Sequence, residues 1–215
     1  MPWRKNLPWI MLAGDILVPL LMHSLAIFIS AALLRAFHAV NADLYGSALG
    51  SVLVLGPSLR MISSDKKAGV VIPGEKKKNI WPLALALGAV FSVAVGKLMQ
   101  LAGFDRIFSN MVQERLFLIS FVPQILFWGM LIPLAEELIH RGLVYPRLRS
   151  RFPLWTSVII SSLIFGVAHG NVIQSVYAFL AGVVLCLLRE YGGLESAVAF
   201  HAGANLISVI LHRLL

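Results

Sequence analysis

The chain has 215 residues, of which 59% are hydrophobic and 13% are charged, whereas about a quarter of the residues of a water-soluble domain are usually charged. This composition excludes a soluble globular enzyme, a disordered chain and a coiled coil, and it predicts one integral membrane domain over residues 1–215, all-α and folded as a polytopic transmembrane helical bundle. The net charge of +8 does not indicate nucleic-acid binding, because most of the 18 basic residues lie in segments that the predicted helices bring to one side of the membrane.

About seven membrane spans are predicted from the apolar stretches. The N-terminal stretch is too long for a cleaved signal peptide, whose apolar region has about 7 to 15 residues, so we interpret it as the first span. The second stretch is the shortest and is rich in small residues, which favour close helix packing. The spans cover residues 10–34, 44–59, 81–101, 116–134, 153–169, 172–188 and 194–215, and an eighth helix is an alternative count.

Residues 60–79 join the second and third spans and carry five lysines. They are predicted to form a loop, because they are too polar to cross a bilayer. We interpret the loop as solvated and cytoplasmic, with a contact to anionic lipid headgroups as the alternative. A cytoplasmic N-terminus brings this loop and most of the arginines to the same side of the membrane, as the positive-inside rule requires, so we expect that orientation.

Three polar motifs interrupt the apolar spans, where ionisable groups are costly and therefore need a partner or a function. The first is Glu-Glu-x-x-x-Arg at 136–141, which follows an apolar stretch without a helix breaker. In a continuous helix Glu137 and Arg141 face each other at i,i+4, as do Glu136 and His140. Arg141 then neutralises Glu137 and leaves Glu136 available for proton transfer. The alternative is a helix at the membrane edge whose charges meet lipid headgroups.

The other two motifs come from later spans. Phe165 lies one helical turn before His169 at the end of an apolar helix, where a lone histidine is more often structural than catalytic. His201 and Asn205 share one face of the last span, with Gly203 between them. Two hydrogen-bond donors side by side in a low dielectric are able to stabilise an oxyanion, but they serve equally well as links between helices.

Together, Glu-Glu-x-x-x-Arg (136–141), Phe-x-x-x-His (165–169) and His-x-x-x-Asn (201–205) resemble the CAAX protease and bacteriocin-processing family of intramembrane proteases, also called CPBP or Abi. The resemblance is to enzymes of the type II CAAX prenyl endopeptidase kind. It implies helices around a polar cavity, a catalytic core over residues 112–215, and variable spans with a basic cytoplasmic loop over residues 1–111. It also implies a multi-pass protein of a prokaryotic cell membrane.

The resemblance implies a catalytic role for four residues. Glu136 is expected to be the general base that activates water, assisted by His169. His201 and Asn205 are expected to stabilise the tetrahedral oxyanion. The implied substrate is a hydrophobic or lipidated peptide or protein tail, which reaches the site laterally or from the cytoplasmic side. Membrane lipids are the other expected partners, and no nucleic acid is expected.

Three further residues are expected to support the site: Glu137 and Arg141 hold it together as a pair, and Phe165 belongs to the second motif. Metal use stays open. Glu136, His169 and His201 are candidate ligands of an open zinc site, but the sequence lacks His-Glu-x-x-His and its inverted form. We therefore favour chemistry without an obligatory metal, with zinc as the candidate cofactor otherwise.

Two other functions compete with the protease. A non-catalytic relative would act as a membrane scaffold or an immunity factor, but it has no need of Glu136 beside an already paired Glu137. A proton-coupled transporter would use the buried Glu and His residues as a relay. Such a protein is expected to have paired halves or interrupted helices, and the sequence has no such pattern.

The remaining polar residues of the spans receive structural interpretations. Asp15, His23 and His38 lie in or near the first span, where contact with another helix or with the interface is expected. Cys186, the one cysteine, lies in an apolar run and is interpreted as a packing residue, because a single cysteine forms neither a disulfide framework nor a Cys-x-x-Cys site.

Overall fold

The structure, a computed structural model, describes residues 9–70, 79–104, 116 and 119–214. Within these residues the chain forms helices and turns and no strands. Helix α4 is continuous but contains two π-helical segments, Gln124–Leu131 and His140–Val144. The helices are α1 (Trp9–Ala36), α2 (Ala42–Lys67), α3 (Trp81–Leu101), α4 (Phe121–Arg149), α5 (Leu154–Val167), α6 (Val172–Gly192) and α7 (Leu194–Leu214).

Five of these helices are long and apolar enough to cross a membrane, as far as the described residues extend: α1, α3, α4, α6 and α7. Helix α5 has 14 residues, which span about 21 Å at about 1.5 Å per residue, less than the roughly 30 Å of a hydrocarbon core. Helix α2 is longer but carries charged residues in its last turns. The protein is therefore an all-helical membrane protein with five candidate spans, and the number seven stays a prediction.

The boundary between the second span and the basic loop was predicted wrongly. Residues 60–67 are helical, because α2 continues to Lys67, where Lys66 and Lys67 interact favourably with the carbonyl end of the helix dipole. The helix ends at Lys67, and two residues later Gly69 has a φ of +76°, a left-handed conformation that favours glycine. The lysines at 76–78 lie outside the described residues. So do the N-terminal segment 1–8 and, before α4, residues 105–115, 117 and 118.

Helices α3 and α7 are in backbone contact at two glycines. A Cβ atom on Gly88 would lie 1.9 Å from the carbonyl oxygen of Phe200, and one on Gly203 would lie 2.1 Å from the carbonyl oxygen of Leu85. Small residues allow this approach, and close packing is the main attraction between helices in lipid. Since Gly203 lies between His201 and Asn205, the contact fixes where both polar side chains project.

Helices α1 and α2 pack in the same way. A Cβ atom on Gly46 would lie 2.5 Å from Cα of Ala31, and one on Gly50 would lie 2.5 Å from the backbone nitrogen of Ile27. The small residues of the predicted second span therefore make the close helix contact expected of them. This contact brings the serine-rich face of α2 against α1 and toward the interior of the bundle.

Ion pairs join the helix ends at one side of the bundle. The C-terminal ends of α2, α4 and α6 meet there, together with the N-terminal part of α1. The side chain of Asp15 thus pairs with Arg151, which lies in the turn after α4. The pairs are Arg147–Asp65 (2.7 Å), Arg149–Glu190 (3.1 Å) and Arg151–Asp15 (3.8 Å). We call this side the basic end, since its described residues include Arg60, Lys66, Lys67, Arg147, Arg149, Arg151 and Arg189.

Replacing Gly203 by alanine is expected to destabilise the protein, because the added methyl group would overlap the carbonyl oxygen of Leu85. Overpacking of this kind costs about 1–3 kcal/mol. Thermal unfolding in detergent, followed by circular dichroism, would show a lower midpoint. The matched control is Gly56→Ala on α2, where no atom lies within 4 Å of the new Cβ atom. Equal midpoints for the two variants would contradict the close contact.

Candidate active site

A cavity of about 530 Å³ lies between the helices. All four residues that were predicted to be catalytic line it: Glu136 from α4, His169 after α5, and His201 and Asn205 from α7. Phe165 lines it as well. Helices α1, α2, α3 and α6 also contribute to the wall, which is mainly apolar. The structure therefore brings the three motifs together around one space inside the bundle.

The two adjacent carboxylates of α4 have different surroundings. The side chain of Glu136 is 21% exposed, whereas that of Glu137 is 0% exposed. Because successive residues of a helix project about 100° apart, one carboxylate reaches the cavity while its neighbour points into the packed interior. Glu136 is thus the carboxylate that is available to a bound molecule.

Arg141 is the buried partner of Glu137. Its Nη1 donates to Glu137 Oε1 at 3.0 Å, and its Nη2 donates to the backbone carbonyl of Gly182 on α6 at 3.3 Å. The guanidinium carbon lies 4.3 Å from the centre of the Phe165 ring. A charged guanidinium over an aromatic face is attracted by the ring electrons. Arg141 therefore links α4 to both α5 and α6.

His201 also binds Glu137, a contact that the sequence analysis missed. Its Nδ1 lies 2.9 Å from Glu137 Oε1, and its Nε2 lies 3.7 Å from Glu136 Oε2. The carboxylate paired with Arg141 is an acceptor, so Nδ1 carries the hydrogen and donates it. In a neutral imidazole Nε2 then holds a lone pair. His201 thus joins the two carboxylates and has its proton-accepting nitrogen beside Glu136.

His169 is oriented by its own helix. Its Nδ1 lies 2.8 Å from the carbonyl oxygen of Phe165, and a carbonyl only accepts, so Nδ1 carries the hydrogen. The Phe165 ring contacts both imidazoles, with centroid distances of 4.9 Å to His169 and 5.8 Å to His201. In neutral His169 the Nε2 atom is therefore the nitrogen able to take a proton.

Asn205 holds α7 against a π-helical segment of α4. Its Nδ2 donates to the carbonyl oxygen of Trp128 at 2.9 Å. This carbonyl has no helical donor to accept from: the Ile132 N–H donates to Phe127, and Pro133, five residues after Trp128, has no N–H. Asn205 thus supplies the hydrogen bond that the proline removes. Its Nδ2 has a second hydrogen, which this bond leaves available.

The same arrangement recurs at the second π-helical segment. The Tyr145 N–H donates to the backbone carbonyl of His140. Pro146 again lacks an N–H, so the carbonyl of Arg141 is left without a helical donor. The Nε of Arg189 on α6 donates to this carbonyl at 3.0 Å. Two prolines in α4 therefore leave two carbonyls without a backbone donor. Each of these carbonyls accepts a hydrogen bond from a side chain of a neighbouring helix.

The proposed zinc ligands do not form a metal site. Glu136, His169 and His201 all line the cavity, yet among the described residues no group of three His, Cys, Asp or Glu side chains is arranged to hold a metal ion. The Nδ1 atoms of both histidines are bonded, to a carbonyl and to Glu137, which leaves Nε2 of each ring as the nitrogen that could bind a metal. The donor types therefore suit zinc, but the three side chains are not grouped around one point, and we assign no reaction step to a metal.

The N-terminal helices add a polar pair that includes His23, for which contact with another helix or with the interface was expected. His23 Nε2 lies 3.0 Å from Ser51 Oγ, which joins α1 to α2, and Ser51 lines the cavity. Glu136 lines the same cavity as Ser51, so His23 lies next to the wall to which Glu136 belongs. No spacing in the sequence relates residue 23 to residue 136, so only the fold reveals this proximity.

Replacing Asn205 by leucine is expected to lower stability by about 1–3 kcal/mol, because the partly buried Trp128 carbonyl loses its donor. A second change, Pro133→Ala, restores a backbone N–H five residues after Trp128, and it is expected to cost less in the Asn205→Leu background than in the parent protein. Unfolding in detergent of both single variants and the double variant measures this coupling. Strictly additive effects would contradict the proposed role of the proline.

Residues 118–207 match the protein-family model described as type II CAAX prenyl endopeptidase Rce1-like. The matched segment is less than half of the chain, but it contains all three motifs, from Glu136 to Asn205. No curated protein and no solved structure matches the chain significantly.

Proposed function

Because residues 118–207 match the family model described as type II CAAX prenyl endopeptidase Rce1-like, we propose that the protein is an intramembrane endopeptidase. The observation that carries the proposal is the difference between the two carboxylates of α4. Glu137 is neutralised by Arg141 in the packed interior, while Glu136 reaches a cavity that also contains two histidines. A carboxylate and imidazoles around a space for substrate are the groups that activate water for hydrolysis.

In the proposed reaction, Glu136 takes a proton from water as the water oxygen attacks the carbonyl carbon of the peptide bond. His169 assists, because its Nδ1–H is bonded to the Phe165 carbonyl and its Nε2 is left as a proton acceptor. The proton held by Glu136 then passes to the leaving nitrogen as the C–N bond breaks. The products are a carboxylic acid and an amine, which balances the atoms of one water molecule.

The oxyanion is stabilised by His201 and Asn205. Asn205 donates with the second hydrogen of Nδ2, since the first is bonded to Trp128. His201 donates from Nε2 in its doubly protonated form, in which Nδ1 stays bonded to Glu137.

The substrate that fits this site is a hydrophobic or lipidated peptide tail. Most of the cavity wall is apolar, with Ile27, Ile132, Ile173 and Leu185 among its residues, and His201 Nε2 lies 3.7 Å from Glu136 Oε2. An apolar side chain or lipid group is stabilised by burial against such a wall, at about 25 cal/mol per Å². A scissile bond next to that group then lies near the carboxylate.

Glu136→Gln is expected to lower turnover of a peptide with an apolar tail by about 10²- to 10⁴-fold, because the amide is unable to accept the proton of water. The assay is cleavage in detergent, followed by mass spectrometry of the products. Circular dichroism checks that the variant folds.

The matched control for this variant is Glu195→Gln, the same change at an exposed residue that lies outside the cavity. It is expected to keep the turnover of the parent protein. Parent-like turnover by Glu136→Gln would reject Glu136 as the base. A parent protein that cleaves no peptide while binding one would favour the non-catalytic scaffold.

Cleavage is expected to survive treatment with a zinc chelator, because the described His, Cys, Asp and Glu side chains do not form a three-ligand cluster. The measurement is the cleavage rate before and after chelation and dialysis, with metal content determined in parallel. Loss of activity that returns on addition of zinc, but not of magnesium, would contradict the metal-independent mechanism.

A further inference from the structure

The basic end of the bundle is closed below the active site. Every residue from 137 to 148 of α4 is buried, including Ile139, Leu143, Val144 and Tyr145, each 0% exposed. This stretch leads directly from the carboxylates to Arg149. A peptide approaching Glu136 from this side would have to displace about three turns of packed helix.

Polar contacts between helices reinforce this closure. Tyr145 donates to Glu190 at 2.7 Å, and Glu190 also accepts from Arg149. Where α3, α6 and α7 meet, a Cβ atom on Gly192 would lie 2.8 Å from the Ile80 side chain. Side-chain hydrogen bonds and close packing therefore join the helices that surround the cavity at the basic end.

The cavity extends in the other direction. On α3 its wall is formed by Ser92, Gly96, Met99 and Gln100 in the last part of the helix, and Phe104 continues it. On α6 the wall begins at Ile173, near the start of the helix. These helices run in opposite directions, so both sets of residues lie toward the end away from the basic end. Leu116 and His169 line the cavity there as well.

The charge distribution assigns each of these two ends of the bundle to one side of the membrane. Among the described residues the basic end carries Arg60, Lys66, Lys67 and four arginines, whereas the other end has few basic residues. The positive-inside rule assigns the more basic side to the cytoplasm. The cytoplasmic access expected from the resemblance conflicts with this arrangement, because the cytoplasmic side is then the closed one.

We infer that the active site takes its substrate from the non-cytoplasmic half of the membrane. The inference rests on the proposed function and names its substrate class: a peptide segment exposed on the outer side, such as the tail of an exported peptide or the outer end of a membrane-anchored chain. Both direct access from the outer solution and lateral access from the outer leaflet reach the cavity from that half.

The depth of the site adds a requirement on the substrate. His201 lies 13 residues before Leu214, the last residue of α7, which corresponds to about 20 Å along the helix at about 1.5 Å per residue. An extended chain covers this distance with about six residues at about 3.3 Å each. The substrate therefore has a stretch of about six residues that is free of stable helix next to the scissile bond.

The first test is the accessibility of single cysteines in sealed right-side-out vesicles, in a Cys186→Ala background. Ser208→Cys, which lies in the cavity wall, is expected to react with a membrane-impermeant maleimide from outside. Lys66→Cys, which is exposed at the basic end, is expected to react only after the vesicles are opened. The reverse pattern, or reaction of Ser208→Cys only after opening, would overturn the inference.

The second test separates this inference from the proposed function. Cleavage of a peptide with an apolar tail in detergent tests the proposed function alone, because both ends of the bundle are then accessible. The same peptide, made impermeant by a charged group at its other end, is added to right-side-out and to inside-out vesicles. Cleavage in right-side-out vesicles only is expected. Equal or faster cleavage in inside-out vesicles would overturn the outer access while leaving the protease assignment intact.

Discussion

The site depends on one buried charge pair, Glu137 with Arg141. Removing two charges from water is costly, and the attraction between them offsets the cost only with good geometry and further contacts. Here the further contacts come from three other helices: Phe165 on α5, the Gly182 carbonyl on α6 and His201 on α7. Glu137 Oε2 and Arg141 Nε have no hydrogen-bond partner among the described residues. The contacts that the pair does make place the helices that carry the second and third motifs around α4. The same pair leaves Glu136 as the carboxylate that faces the cavity.

The two π-helical segments of α4 make this arrangement compatible with a continuous helix. Each wide turn precedes a proline, Pro133 or Pro146, and each leaves one carbonyl without a backbone donor. Asn205 and Arg189 fill these positions from α7 and α6. In a low dielectric an unpaired carbonyl is costly, so these bonds specify which helix lies where along α4. Prolines that would otherwise disrupt the helix thus help to determine the packing.

Much of this could be predicted from the sequence because hydropathy and helical spacing are local signals. The spacing of Glu137 and Arg141 at i,i+4 predicts their contact, and the small residues of α2 predict its close packing. The contact of His201 with Glu137 has no such signal, since 64 positions separate the two residues. The extension of α2 beyond residue 59 was missed because lysines at a helix end look like a loop when only polarity is considered. The pairing of His23 with Ser51 likewise depends on how α1 and α2 cross.

The proposed intramembrane protease would have to admit water to Glu136 without opening a path through the bilayer. A cavity that reaches Glu136 from only one side meets both requirements, provided that the other side is sealed. The seal is the buried stretch that follows Glu136 on α4, completed at the basic end by the bond between Tyr145 and Glu190. The buried charges of Glu137 and Arg141 belong to this stretch, at its end next to the cavity. Because they neutralise each other, they present no net charge that would draw water further inward, so the pair that orients the active site also marks the depth at which the cavity stops.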